Sequence, residues 1–260
     1  MRRAFALVVV AVLTGLVGFI FVTNKPAISP VSDVKDYNRK VLAQGEALAA
    51  LGGCATCHTR QGGKPLSGGR AIDTPFGSLY ASNITPHKEN GIGQYSLAAF
   101  ARAMREGVSS TGDYLYPAFP YDHFSRVNDE DIEALYAYLM QGVTPQPDKT
   151  PANAMSFPFN IRHGLAVWNA LFLNPELPKP GPEQDAEWAR GAYLAEGLGH
   201  CGACHSPRNV LGAIDGKRAY AGAFVNGWYA PALDASSPAP IPWTKNALVN
   251  YLMDGWDKHH

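Results

Sequence analysis

The sequence predicts a mainly α-helical chain. One N-terminal helix long enough to cross a membrane precedes two copies of a small helical domain, joined by a proline-rich linker. Three observations predict this. An apolar run fills residues 4–22. The pattern Cys-x-x-Cys-His occurs twice, at 54–58 and 201–205, and uses all four cysteines. The interval from the first cysteine of each pattern to a helix-ending glycine, Gly107 or Gly255, is 53 residues in one copy and 54 in the other. Shared spacing of that length marks a repeated domain. The boundaries follow: 1–24 for the N-terminal segment, 33–141 for the first domain, 142–184 for the linker and 185–260 for the second.

The N-terminal segment reads Met1-Arg2-Arg3, a nineteen-residue apolar run with Thr14 as its one polar residue, then Thr23-Asn24-Lys25-Pro26. A cleaved leader has a shorter apolar core, about 7–15 residues, and an A-x-A-like site after it. At about 1.5 Å per residue this run nearly spans a hydrocarbon layer of about 30 Å. An uncleaved signal-anchor is therefore favoured over a cleaved leader. Arg2 and Arg3 then stay cytoplasmic, and the rest of the chain lies on the periplasmic side of a bacterial inner membrane. Lys plus Arg and Asp plus Glu number 22 each, for a formal net charge of zero. Nothing in that balance points to nucleic acid.

Each Cys-x-x-Cys-His pattern is the attachment signature of c-type haem: two thiols add to the porphyrin and the adjacent imidazole meets the iron. A zinc knuckle would close four ligands around one ion, and a thioredoxin-like pair gives no reason for a histidine to follow. Two covalently bound haem c groups are expected, on Cys54 and Cys57 and on Cys201 and Cys204, with His58 and His205 as proximal iron ligands. Gly and Pro are abundant, 26 and 20 residues, and only 17% of residues are charged. Such loop-rich domains suit packing around a porphyrin.

In the first domain Val41, Leu42, Leu48 and Ala49 share one helix face leading into Cys54. Gly45 on that helix lets another backbone approach closely. A second helix over 129–140 carries Ile132, Leu135, Tyr136 and Leu139 as an amphipathic stripe, with Asn128 and Asp131 patterned as a capping box. Two such helices crossed over a haem resemble the class I cytochrome c plan. In the loop where the distal ligand belongs stands Phe119, which cannot bind metal. The nearest residue able to do so is His123, so bis-histidine ligation of the first iron competes with water or an empty sixth position.

The second copy repeats the first. Gly191-x-x-Leu194 matches Gly45-x-x-Leu48, Ala230-Pro231-Ala232-Leu233 matches Ser82-Asn83-Ile84-Thr85, and Trp243-Thr244-Lys245 matches Tyr95-Ser96-Leu97. It lacks a counterpart of the 129–140 helix. Arg70 and Arg208 follow the two patterns, as propionate partners or surface residues. The linker, with Phe157-Pro158-Phe159 and Trp168, is too apolar for a flexible tether and should pack across the seam.

With these residues in hand the chain resembles the cytochrome c subunits of bacterial membrane-bound dehydrogenases, those serving alcohol, gluconate, and molybdenum-containing aldehyde or nicotinate dehydrogenases. The matching segments are SNIT at 82–85, GIG at 91–93, LYPAFPY at 115–121, DEDIEALYAYLM at 129–140, FPFNIR at 157–162 and RGAYLAEGLGHCGACHSPRN at 190–209. The resemblance implies a non-catalytic relay. Electrons would come from a molybdopterin, flavin or quinoprotein dehydrogenase subunit and leave for ubiquinone or a terminal oxidase. Members commonly carry three haems with distal methionines; here Phe119 replaces one, and the third-haem region is not in the sequence. One anchor plus two haems also describes the dihaem subunit of a cbb3-type oxidase, and a dihaem peroxidase is an enzyme reading of the same motifs.

Overall fold

The computed structural model describes residues 2–225, 227–234, 236–237 and 244–255, and the side chains of all of these except 2–8, 11, 12 and 16. Trp243, to which the repeat was extended, lies outside them, as do the side chains of Arg2 and Arg3. Helix α1, Arg2–Thr23, is formed by the apolar run. Among the described residues no helix is long and apolar enough to cross a membrane. The structure thus supplies the helix expected over 1–24 and does not support the span. Its last turn is tied to the first domain, where the Tyr114 hydroxyl donates to the Thr23 carbonyl at 3.0 Å.

The first domain opens with α2, Arg39–Leu51, capped by Asn38, whose side chain accepts from the Val41 N–H. Then come α3, Cys54–His58, and a hairpin of β1, Ala71–Thr74, with β2, Gly77–Tyr80. Helix α4, Leu97–Glu106, starts on a Ser96 cap and stops at Gly107, whose φ of 62° suits glycine. Short α5, Tyr121–Phe124, precedes α6, Asp129–Ala137, which ends in a π turn over Tyr138–Gly142 rather than running on as α-helix to 140. Helices α2 and α6 cross at Gly45, where a Cβ would overlap the Ala134 carbonyl. Leu48, Phe100, Met104, Ile132, Leu135 and Leu139 close the core between them. The π turn brings Tyr138 over both Gly45 and Gly142.

The linker is ordered. Strand β3, Ala154–Met155, adds to the hairpin edge beside β2. Helix α7, Gly164–Phe172, buries Trp168 edge-on against Tyr121, ring centres 5.8 Å apart. The Trp168 indole N–H reaches the Leu211 carbonyl at 3.0 Å, so this helix joins both copies.

The second copy holds α8, Ala186–Glu196; α9, Cys201–His205; the hairpin of β4, Ala223–Val225, with β5, Trp228–Ala230; and α10, Lys245–Asp254. Helix α10 repeats the design of α4, with a Thr244 cap and a glycine stop at Gly255, φ 73°.

Candidate functional site

Each attachment helix is about a turn and a half long and carries two thiols and an imidazole. At 100° per residue, the first and second cysteines and the histidine share one face, with the intervening residues behind. The four thiols are unpaired. Burial pushes the Cys54 thiol up to about 11, and raises Cys201 as well. Both are therefore protonated at neutral pH.

Both imidazoles are fixed in the same way. The His58 Nδ1–H donates to the Ser82 carbonyl at 2.6 Å, and the His205 Nδ1–H to the Pro231 carbonyl at 2.7 Å. A carbonyl can only accept, so Nδ1 holds the proton and Nε2 keeps its lone pair for a metal. Burial lowers His58 further from its ordinary value, which keeps the ring neutral. Two thiols and one oriented imidazole on a helical turn fit a covalently attached haem. Among the described residues no group of three or more His, Cys, Asp or Glu side chains could hold a metal ion by itself.

These bonds also correct the repeat. The partner of Ser82 is Pro231, and the Ile84 N–H to Leu66 carbonyl bond recurs as Leu233 to Tyr220. The SNIT segment therefore matches Pro231-Ala232-Leu233-Asp234, one residue later than the sequence suggested. The near-equal overall spacing conceals compensating changes. The hydroxyl after each attachment helix accepts a backbone N–H seven residues on in the first copy, Thr59 from Leu66, and fourteen on in the second, Ser206 from Tyr220. The second copy recovers most of the difference with a shorter hairpin: Leu66 to Ile84 is 18 residues, Tyr220 to Leu233 is 13. Arg70 and Arg208 reach matching carbonyls, Thr56 and Ala203, so both staple an attachment helix to the loop that follows.

The two motifs lie near one another. The Cys57 thiol is raised by burial, lowered by Arg70 and raised again by Cys204 of the other motif. Leu198, 1% exposed, sits in the core of the first copy and packs where Gly52 leaves room for it. The segments leading into the two attachment helices thus form one seam.

His123 belongs to that seam. It is 3% exposed, and its Nδ1–H donates to the Glu196 carbonyl at 3.0 Å. Its ring faces Gly202, on the side of α9 away from the thiols, beside a cavity of about 220 Å³. Its Nε2 is buried without a partner. Both neighbours that fix the ring are residues of the second copy. Phe119 is partly buried and packs edge-on against Phe124, ring centres 5.3 Å apart.

Sequence reasoning missed the polar centre of the seam. Asn128 caps α6 by accepting from the Asp131 N–H at 2.8 Å, yet the reciprocal half of the capping box is not made. The Asn128 N–H goes instead to the Tyr193 hydroxyl at 3.2 Å, and that hydroxyl donates to the buried Asp131 carboxylate at 2.7 Å. Gln44 of α2 donates to the other carboxylate oxygen at 2.9 Å. Only the buried, charged Asp131 in an apolar stripe signalled a partner elsewhere.

Comparison with known proteins agrees with this geometry. The family model described as Cytochrome c matches residues 42–142. The chain is 53% identical over 236 residues to a nicotinate dehydrogenase subunit of Pseudomonas putida, a match that covers 90% of the chain and 20% of that protein. It is 40% identical to the gluconate 2-dehydrogenase cytochrome c subunit of Pantoea cypripedii, over 85% of the chain and 53% of the relative. A protein described as diheme cytochrome c-type from Cereibacter sphaeroides is 35% identical, over 82% of the chain and 73% of its own length. The chain therefore spans a fifth to about half of the dehydrogenase relatives it matches.

Proposed function

Since the chain belongs to the cytochrome c family, alongside the electron-transfer subunits of bacterial dehydrogenases, we propose that it is a dihaem relay. Cys54 and Cys57 would hold one haem c and Cys201 and Cys204 the other, with His58 and His205 on the irons. Haem supplies one-electron chemistry; the protein supplies orientation and spacing. The observation that carries the reading is the matched pair of attachment helices, each with its imidazole locked by Nδ1–H to a backbone carbonyl.

The donor is a dehydrogenase catalytic subunit, of molybdopterin, flavin or quinoprotein type, and the acceptor is ubiquinone or a terminal oxidase. Support comes from the relatives, which are themselves subunits of nicotinate and gluconate dehydrogenases. The periplasmic face of the inner membrane is the place for it, with α1 as anchor; the support there is the apolar run of the sequence. Washing native membranes with alkaline carbonate tests that location: an anchored chain stays in the pellet. We place His123 in the seam rather than on the first iron; the support is its bond to the Glu196 carbonyl and its contact with Gly202.

Mass spectrometry of protein matured in its native host tests the whole reading. The chain should be heavier by two haems, and alkylation should find no free thiol. A chain at its unmodified mass would refute it.

A further inference from the structure

The residue before each attachment helix adopts the left-handed conformation. In the first copy it is Gly53, φ 58°; in the second it is His200, φ 37°. Glycine takes that backbone readily, and a side chain with a Cβ takes it at a cost, least for residues such as Asn and His. A histidine in that backbone directs attention to where the conformation sends its ring.

That ring touches the other copy on two sides. Its Nε2–H donates to the Gly52 carbonyl at 3.1 Å, two residues before Cys54. Its face meets Phe124 edge-on, ring centres 5.5 Å apart. Directly after His200 comes Cys201. One side chain therefore links the backbone leading into the first attachment helix to the first residue of the second. The neighbouring contacts at Glu196 and Leu198 also hold the copies together.

We propose that His200 is a positioning residue that sets the separation of the two attachment helices, and through them of the two haems. This rests on both motifs carrying haem. A left-handed residue places the imidazole back over Gly52 instead of out to solvent, so strain and contact are one feature. Gly53 cannot reciprocate, which makes the clamp one-sided.

The test uses the full chain matured with both haems. In the His200→Gly variant the backbone is relieved and only the ring is lost. We expect the two-haem mass and the visible spectrum of each haem to be retained. The magnetic interaction between the two oxidised irons, read by electron paramagnetic resonance, should shift towards weaker coupling. His200→Asn, which tolerates the left-handed backbone and offers an amide donor to Gly52, should restore part of it. Should the glycine variant fail to mature, His200→Ala reads the same coupling without the ring. Wild-type coupling in a ring-less variant that carries two haems overturns the proposal. A wild-type chain without two haems instead overturns the function it rests on.

Discussion

Helices α4 and α10 share one plan, a hydroxyl cap, ten residues and a left-handed glycine, and end in opposite circumstances. Helix α4 buries Ala99, Phe100, Ala103 and Met104, whereas α10 buries none of its residues. Leu248, Leu252 and Met253 of α10 are 44, 74 and 78% exposed. The difference lies in the neighbours. Helix α6 crosses α2 at Gly45 and closes the first core, while at Gly191, the matching glycine of α8, a Cβ would meet nothing within 4 Å. Amphipathic pattern makes a helix capable of burial; only a second surface makes it buried.

The largest effect that would sharpen this contrast is truncation at matched positions. Met104→Ala should cost about 2–5 kcal/mol, as expected for a filled core position. Leu252→Ala, its counterpart, should stay within about 0.5 kcal/mol, as surface changes do. Denaturant midpoints of the two variants, read at constant slope, decide it. Equal losses would mean that α10 has a cover not visible among the described residues.

The two glycines provide the next test, in which the sign reverses. Gly45→Ala pushes a methyl into the Ala134 carbonyl, and overpacking of this kind costs about 1–3 kcal/mol. Gly191→Ala sits on an open helix face, where replacing glycine gains roughly 0.5–1 kcal/mol. Thermal midpoints should move in opposite directions. A destabilising Gly191→Ala would break the comparison outright.

What the sequence carried and what it did not divide along the same line. The attachment motifs were legible because covalent chemistry demands cysteine and histidine at fixed spacing. Gly45 was legible because a close crossing tolerates no Cβ. Asp131 was misread in part: its spacing from Asn128 gave the cap, but its carboxylate answers to Tyr193, which is 62 residues away and in the other copy. The repeat register slipped at Ser82 because a longer loop and a shorter hairpin nearly cancel in length. Interactions specified by local spacing are written in the chain; those specified by how two copies meet are not. His123 shows this most plainly: nothing in its own segment announces that Glu196 and Gly202 of the other copy surround its ring.

The seam is what the second copy has in common with the first core, and a titration tests it. Burial first, and the hydrogen bond to Asp131 second, raise Tyr193 to about 12, against about 10 for an ordinary tyrosine. The folded state therefore holds this proton more tightly than the unfolded chain. The contribution is complete below about pH 10 and is lost as pH climbs towards about 12. Ionisation would remove the donor to Asp131 and set a phenolate against its carboxylate. Tyr193→Phe leaves the Asp131 carboxylate short of one donor, and a hydrogen bond to a charged group is worth roughly 1.5–3 kcal/mol. Tyr121 and Tyr220 are raised by burial as well, so only the difference between wild type and variant isolates this group. That difference, followed by urea denaturation from about pH 8 upwards, should be constant to about pH 10 and shrink beyond it. A difference that stays constant to about pH 12 would detach Tyr193 from the seam's stability.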